Sequence, residues 1–228
     1  TYVLEQDDHS GLAGSLIDLT LHEWDPNQNK FIQRKILPFS HKLNQFVVIG
    51  GSFTQSNQAS DKVLFGITEG KKLLIYNFQT GLTSFANIPF NVDVVKIREH
   101  NEDSVLALLA DNSLVFINTS GTLTDTGRPV FLNYQALNGG IVDISHASKN
   151  VDGSWTIYLL SNGELFIANQ TQTKLAASLK RKISISGITA QTDLGQIKIA
   201  NATQVIGSPD GAWILADGTS LNGKKKKK

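Results

Sequence analysis

One pattern recurs along this chain and limits what it can become: an apolar strand, a tight polar turn, a second apolar strand, then Asn or Asp. It is plainest in "VLALLADNSLVFINTSG" (105–121) and returns in "VLFGITEGKKLLIYN" (63–77), "TIYLLSNGELFIAN" (156–169) and "TQVIGSPDGAWILAD" (203–217). The turns carry Glu69-Gly70, Asp111-Asn112, Asn162-Gly163 and Asp210-Gly211. Asn, Asp and Gly there tolerate the positive φ that tight hairpin turns require. A fifth copy lies near the N-terminus, where a strand ends at Trp24-Asp25 and the chain runs on to "LPF", as the copy ending at Asn77 runs on to "IPF". The closing residues are then Asp25, Asn77, Asn118, Asn169 and Asp217, spaced 52, 41, 51 and 48 apart. From the second turn residue to the closing residue is six positions in three copies and seven in the copy that ends at Asn77.

A repeat of roughly 40–50 residues built only from strands is the signature of a β-propeller. The runs "FVVIGGSF" (46–53), "VDVVKI" (92–97) and "GIVDIS" (140–145) each precede a hairpin and are expected to form inner strands. Less apolar segments such as "PVFLN" and "LAASLKRK" follow the hairpins and suit outer edge strands, where charge discourages pairing with other molecules. Lys174–Lys182 is the best stretch for a helix, and it is short. "TYVLEQ" (1–6) reads as the second strand of the first unit, so a first strand there and an outermost strand in the fifth unit are not evident.

The segments "DNSLVFINTSG" and "EWDPNQNKF" resemble the second hairpin of WD40-type repeats. Trp24-Asp25 reproduces the Trp-Asp pair of that family, whose Gly-His pair is missing here. The fold expected is all-β: a diverged β-propeller of about five four-stranded blades over residues 1–223, with a poly-lysine tail at 224–228. The chain either closes as a ring or is a trimmed segment of a larger propeller protein.

Composition bounds the function. Cysteine is absent, which removes disulfides, thiolate metal sites and cysteine nucleophiles. Of the 21 basic residues five are Lys224–Lys228, so 16 face 20 acidic residues in the body. That mildly acidic body offers no basic surface for nucleic acid, and no apolar run reaches the ~18 residues of a membrane helix. The lysine run is read as a solvated end.

Catalytic constellations are weak. Among the five histidines only "DDHSG" (7–11) groups acid, His and Ser, and neighbours in sequence rarely face one another as a triad does. The inner-strand segments carry Asp93, Lys96, Asp143 and His146, and two such carboxylates could serve acid–base chemistry on a channel. Turn capping is the more frequent use. The expectation is therefore a non-enzymatic module with no cofactor and no metal.

The resemblance to WD40-type repeats implies that the turn residues Glu69, Asp111, Asn162 and Asp210 share a rim of the kind that binds peptides or partner proteins. Aromatic anchors are expected from the loops around Pro89-Phe90 and from Tyr134–Asn138, since aromatics dominate interface energies. The partner expected is a protein or a glycan, met alone or within a larger complex. Low charge, an initial residue other than Met and a polar surface rich in Ser, Thr, Asn and Gln favour an extracytoplasmic or cell-surface setting, with an intracellular WD40-like scaffold as the alternative. A small propeller hydrolase or lyase ranks third. Sequons at Asn118, Asn169 and Asn201 add little, as about two are expected by chance.

Overall fold

The structure is a computed structural model. It describes residues 1–8, 17–37, 41–50, 62–88, 91–122, 132–133, 140–146, 148–151, 155–161, 164–170, 178–184, 189–192, 195–208 and 211–220. Among these residues the regular elements are strands, and there is no α-helix. The segment "LAASLKRK", expected as an outer edge strand, is one where it is described: Ser178–Ser184 pairs with the strand before it and ends its sheet.

Among the described residues five sheets follow one another along the chain. Sheet one holds β1 (Tyr2–Asp8), β2 (Ile17–Asp25) and β3 (Lys30–Leu37), in that order. Sheet two is β4 (Leu43–Ile49), β5 (Val63–Thr68), β6 (Leu73–Asn77) and β7 (Thr83–Phe85). Sheet three is β8 (Val94–Asn101), β9 (Ser104–Leu109), β10 (Ser113–Asn118) and β11 (Leu132–Asn133). In sheet four, β12 (Asp143–Ile144) and β13 (Ser148–Lys149) both pair with β14 (Trp155–Ser161), followed by β15 (Glu164–Gln170) and β16 (Ser178–Ser184). Sheet five is β17 (Thr189–Thr192), β18 (Gly195–Ser208) and β19 (Gly211–Ser220). Among the described residues sheets one and five have three strands each. The inner strand expected over 140–145 shrinks to Asp143–Ile144, and that over 46–53 starts earlier, at Leu43.

The chain divides into two compact units, residues 1–107 with 116–124, and residues 108–115 with 125–228. In the first, Leu19, Leu21 and Leu37 of sheet one pack with Leu43, Leu64, Leu74, Tyr76 and Phe78. In the second, Tyr158, Leu160 and Leu165 of sheet four pack with Val205 of sheet five. Gly207 completes that contact, because a Cβ there would stand 2.8 Å from both Ser145 Oγ and Tyr158 Cδ2. β5 and β9 are buried at every position, so these central strands are covered on both faces.

The Asn and Asp residues that mark the repeat have a common job. The Asp25 carboxylate accepts from the amide of Asn27 at 2.8 Å, and Asn77 Oδ1 accepts from the amide of Thr80 at 3.0 Å. Asn118 Oδ1 accepts from the amides of Ser120 and Thr122 at 3.1 and 2.9 Å. Each side chain thus satisfies loop donors just past its strand, which is why short polar residues stand there. A left-handed residue then re-aims the chain: Asn29 (φ 50°), Gly81 (φ 72°) and Gly121 (φ 79°). The strands end at Asp25, Asn77 and Asn118 as expected, while β15 and β19 run past Asn169 and Asp217.

The hairpin turns differ from expectation in one residue. In the β5–β6 loop the amide of Lys71 donates to Thr68 O at 2.9 Å, and in the β9–β10 loop the amide of Asn112 donates to Leu109 O at 3.0 Å. Lys71 (φ 57°) and Asn112 (φ 64°) are the left-handed residues of these three-residue loops, and Gly70 is not. Counted from Lys71, Asn77 lies six positions on, as Asn118 does from Asn112. The seventh position in this copy comes from a turn centred one residue later, so these two copies share one spacing.

A lysine at positive φ carries strain of about 1 kcal/mol that Asn or Gly relieves. Lys71→Asn should therefore raise stability by about 0.5–1 kcal/mol in urea unfolding. Gly70→Ala should be neutral or stabilising, because its Cβ would meet only Thr68 Oγ1, at 3.8 Å. Substantial destabilisation by Gly70→Ala would place the left-handed turn residue at 70 instead.

His100 on β8 stacks on Phe116 with centroids 4.3 Å apart, and burial lowers its pKa from 6.5 to about 4. The folded state therefore binds fewer protons than the unfolded one between those values. Stability from this group is complete above pH 6.5 and should fall as the pH drops toward 4, by on the order of 2 kcal/mol. His100→Phe should flatten that limb of the stability–pH profile; an unchanged slope would refute the assignment.

Candidate functional site

The loops that join the central strands were the sequence's candidate rim, and two of its turn residues are described. Glu69 is the first residue of its loop and Asp111 the second of its own, so they are not equivalent positions. Asn162, Asp210, Phe90 and Tyr134 lie outside the described residues, as do Pro89, His9 and the lysine tail.

Both described loops are held by more than their own turn. The amide of Val94 donates to Lys71 O at 2.8 Å, tying the β5–β6 loop to the start of β8. The amide of Ile141 donates to Asn112 Oδ1 at 3.1 Å, tying the β9–β10 loop to the segment before β12. Asp111 is itself engaged, its Oδ1 accepting from the amide of Ser113 at 2.9 Å. A rigid tip leaves little ordering entropy to be lost when a partner binds.

The β5–β6 tip carries charge of both signs. Lys42 Nζ lies 3.7 Å from Glu69 Oε1, with both side chains about half exposed or more. Lys72 Nζ donates to Asn91 Oδ1 at 2.8 Å and to Asp93 Oδ1 at 3.5 Å, and Lys71 Nζ stands 4.0 Å from Asp93 Oδ2. Asp93, expected on an inner strand, instead precedes β8 and serves this exposed network. Pairs this exposed are worth ~0–1 kcal/mol to folding, so they are available for exchange with a partner's charges.

The other expected carboxylate has a structural post. Asp143 is fully buried, and its Oδ2 accepts from the amide of Val205 at 2.8 Å, joining β12 to β18. A carboxylate with no exposure and a backbone partner cannot reach a substrate. Among the described residues no group of three His, Cys, Asp or Glu is placed to hold a metal ion. No helix is long and apolar enough to cross a membrane among them.

Two titratable groups shifted by burial, Tyr2 and Lys62, meet elsewhere, against sheet one. Tyr2 OH donates to Glu23 Oε1 at 2.8 Å, and Arg34 Nε donates to Glu23 Oε2 at 2.9 Å. Lys62 is only 5% exposed, with its ammonium 5.0 Å from the centroid of the Tyr2 ring and 3.4 Å from Gly50 O. Burial lowers the Lys62 pKa, and burial with the Glu23 hydrogen bond raises that of Tyr2. Perturbed values mark candidate sites, but structural ion-pair networks perturb them too. Closed to solvent at its lysine, this cluster is a clasp. Sequence reasoning passed over it, since a single Lys before the apolar run "VLFGI" carries no signal of burial.

No protein-family model matches the chain. No curated protein matches it either. Among solved structures it is similar to a chain of a humanized mutant of the Chaetomium thermophilum Polycomb Repressive Complex 2 bound to an inhibitor. That alignment has 8% identity and a TM-score of 0.51, covering 95% of this chain and 51% of that one. It is also similar to a chain of BBS1N in complex with ARL6DN, at 11% identity and TM-score 0.48, covering 93% and 64%. For HIRA the values are 14% identity and TM-score 0.43, covering 82% and 52%. The chain thus spans between about half and two thirds of these solved chains. The likeness to the Polycomb complex chain bears on the fold alone. With the recurring antiparallel sheets, it supports a diverged propeller-like fold.

Removing Glu23 should be costly because Arg34 and Lys62 lose the carboxylate that offsets their partial burial. Glu23→Ala is expected to destabilise by about 1–3 kcal/mol in denaturant unfolding, and Lys62→Met to be nearly neutral. Equal, small effects from both would show the clasp to be energetically idle.

Proposed function

We propose that the chain is a non-enzymatic binding module of about five propeller blades, and that its partner is a protein docked on the hairpin loops. The observation that supports this most is the β5–β6 tip. It is fixed by backbone bonds to its neighbours and presents two ion-pair groups, Lys42 with Glu69 and Lys71 and Lys72 with Asp93. Charges of both signs on a rigid tip suit recognition by complementary pairing, which gives specificity and association rate before raw affinity. Glu69 and Asp111 are the described members of the proposed rim, with Asn162, Asp210, Phe90 and Tyr134 as its other members. The composition-based setting is carried as part of the same proposal: outside the cytoplasm or at a cell surface.

A photo-crosslinking residue in place of Glu69 should capture a protein partner, whereas one in place of Asp25 should not. Against that captured partner, Lys42→Glu with Lys71→Glu should weaken binding at least tenfold, with a shallower salt dependence than the parent protein. Unchanged affinity for the double variant would overturn the assignment of the tip. Binding confined to a glycan array would replace the protein by a glycan.

A further inference from the structure

Asn118, Asn169 and Asn201 each open an N-x-[ST] sequence, the acceptor pattern for N-linked glycans. As sequences the three are equal, but the fold treats them differently. Asn169 stands within β15, opposite Thr156 on one side and Ser178 on the other. Asn201 stands within β18 at a register shift. Asn118 alone ends its strand and heads a turn.

The Asn118 side chain has two ends of different chemistry, since Oδ1 accepts hydrogen bonds and Nδ2 donates them. Oδ1 takes the amides of Ser120 and Thr122 at 3.1 and 2.9 Å, and their hydroxyls at 2.8 and 2.9 Å. Among the described residues none of its side-chain bonds runs through Nδ2. The backbone closes the same turn: Asn118 N donates to Thr122 O at 3.0 Å, and Gly121 N to Asn118 O at 2.9 Å. Two further bonds anchor it, from the Thr119 amide to Asp103 O at 3.0 Å and from the Asn87 amide to Gly121 O at 3.1 Å. All of these residues belong to the first unit, so the turn is set within that unit and away from either end of the chain.

An N-linked glycan replaces one hydrogen of Nδ2 with a sugar carbon and leaves Oδ1 an acceptor. Every side-chain bond that holds this turn would therefore survive the modification. The hydroxyl that the acceptor pattern demands at its third residue is turned to the same amide, Ser120 Oγ to Oδ1 at 2.8 Å. Asn77 heads the equivalent turn, but Phe78 and Gln79 follow it, so the same geometry there carries no acceptor pattern.

We propose that Asn118 is the acceptor of an N-linked glycan, a role that rests on the extracytoplasmic setting proposed above. In the transfer, Nδ2 bonds to the anomeric carbon of a phosphate-activated oligosaccharide and gives up one proton. The bond from that carbon to the phosphate oxygen breaks, and the phosphate leaves with the electron pair. Asn118 and Asn112 lie at opposite ends of β10, about 20 Å apart along the strand, so the glycan is carried at the far end from Asp111 of the proposed rim.

The whole chain, expressed behind a cleavable secretory signal in eukaryotic cells, tests this. Release with an N-glycosidase in heavy-oxygen water turns a glycosylated Asn into labelled Asp, which mass spectrometry assigns to its residue. Label is expected at Asn118 in the folded, secreted protein. Ser120→Ala should abolish it, and Ser120→Thr should keep it. Asn118→Asp should also abolish it, yet be secreted and show the urea midpoint of the parent, because Asp keeps the acceptor oxygen and lacks only Nδ2. The added signal delivers the chain whatever its native setting, so an unlabelled Asn118 in the secreted protein would overturn the assignment alone. Label confined to misfolded, unsecreted chains would overturn it too. Native protein found only inside its source cells would overturn the setting, and the modification of Asn118 with it.

Discussion

Burial on both faces is the constraint from which the rest of this structure follows. A strand with one wet face is held in register by its alternation, because a one-residue slip would carry its apolar set into water. β5 and β9 have no wet face, and a slip along them exchanges one buried apolar residue for another. Burial drives such sheets together at roughly 25 cal/mol per Å² of apolar surface, yet it says almost nothing about which residue pairs with which. Register has to come from the strand ends and from polar groups that tolerate one position only.

Those groups are visible. Asp25, Asn77 and Asn118 fix where a strand stops by taking loop amides onto their side chains. Lys71 and Asn112 fix where it begins again. Between sheets, amide side chains clamp backbone: Gln6 accepts from Leu43 N at 2.8 Å and donates to Leu43 O at 2.9 Å. Gln45 does the same to Ile97, accepting from its amide at 3.2 Å and donating to its carbonyl at 2.8 Å. Asp143 holds Val205 N in the second unit with a carboxylate. Each satisfies a backbone group beside an apolar core, where leaving it unpaired would cost about 1–3 kcal/mol.

This division of labour explains what the sequence made legible. Strand ends are local, so their Asn and Asp markers stand out at a steady spacing, and they located the hairpins of sheets one to three. Gly70 misled because a glycine in a turn ordinarily takes the positive φ, and only the hydrogen bond from the Lys71 amide to Thr68 O shows the turn displaced by one. The clamps join residues 37, 52 and 62 positions apart, a separation at which no local pattern survives. Lys62 illustrates the same limit. Its burial depends on Tyr2 and Glu23, which reach it through the fold and not through neighbouring sequence. Of the candidate rim, Glu69 and Asp111 were legible as turn residues, whereas the charges that Lys42 and Asp93 bring to the tip come from other segments.

The arrangement also separates where charge can do chemistry from where it cannot. Asp143 and Lys62 lie where water is excluded, and each is committed to a neighbour across a sheet boundary, so a substrate would have to break the contact that aligns the sheets. At the β5–β6 tip the positions are set by backbone bonds to Thr68 and Val94, and the ion pairs of Lys42, Glu69, Lys71 and Asp93 are exposed additions. Exchanging those pairs for a partner's charges costs the fold little. Among the described residues the polar contacts that the fold cannot replace thus lie between sheets, and the replaceable ones lie at the loop ends.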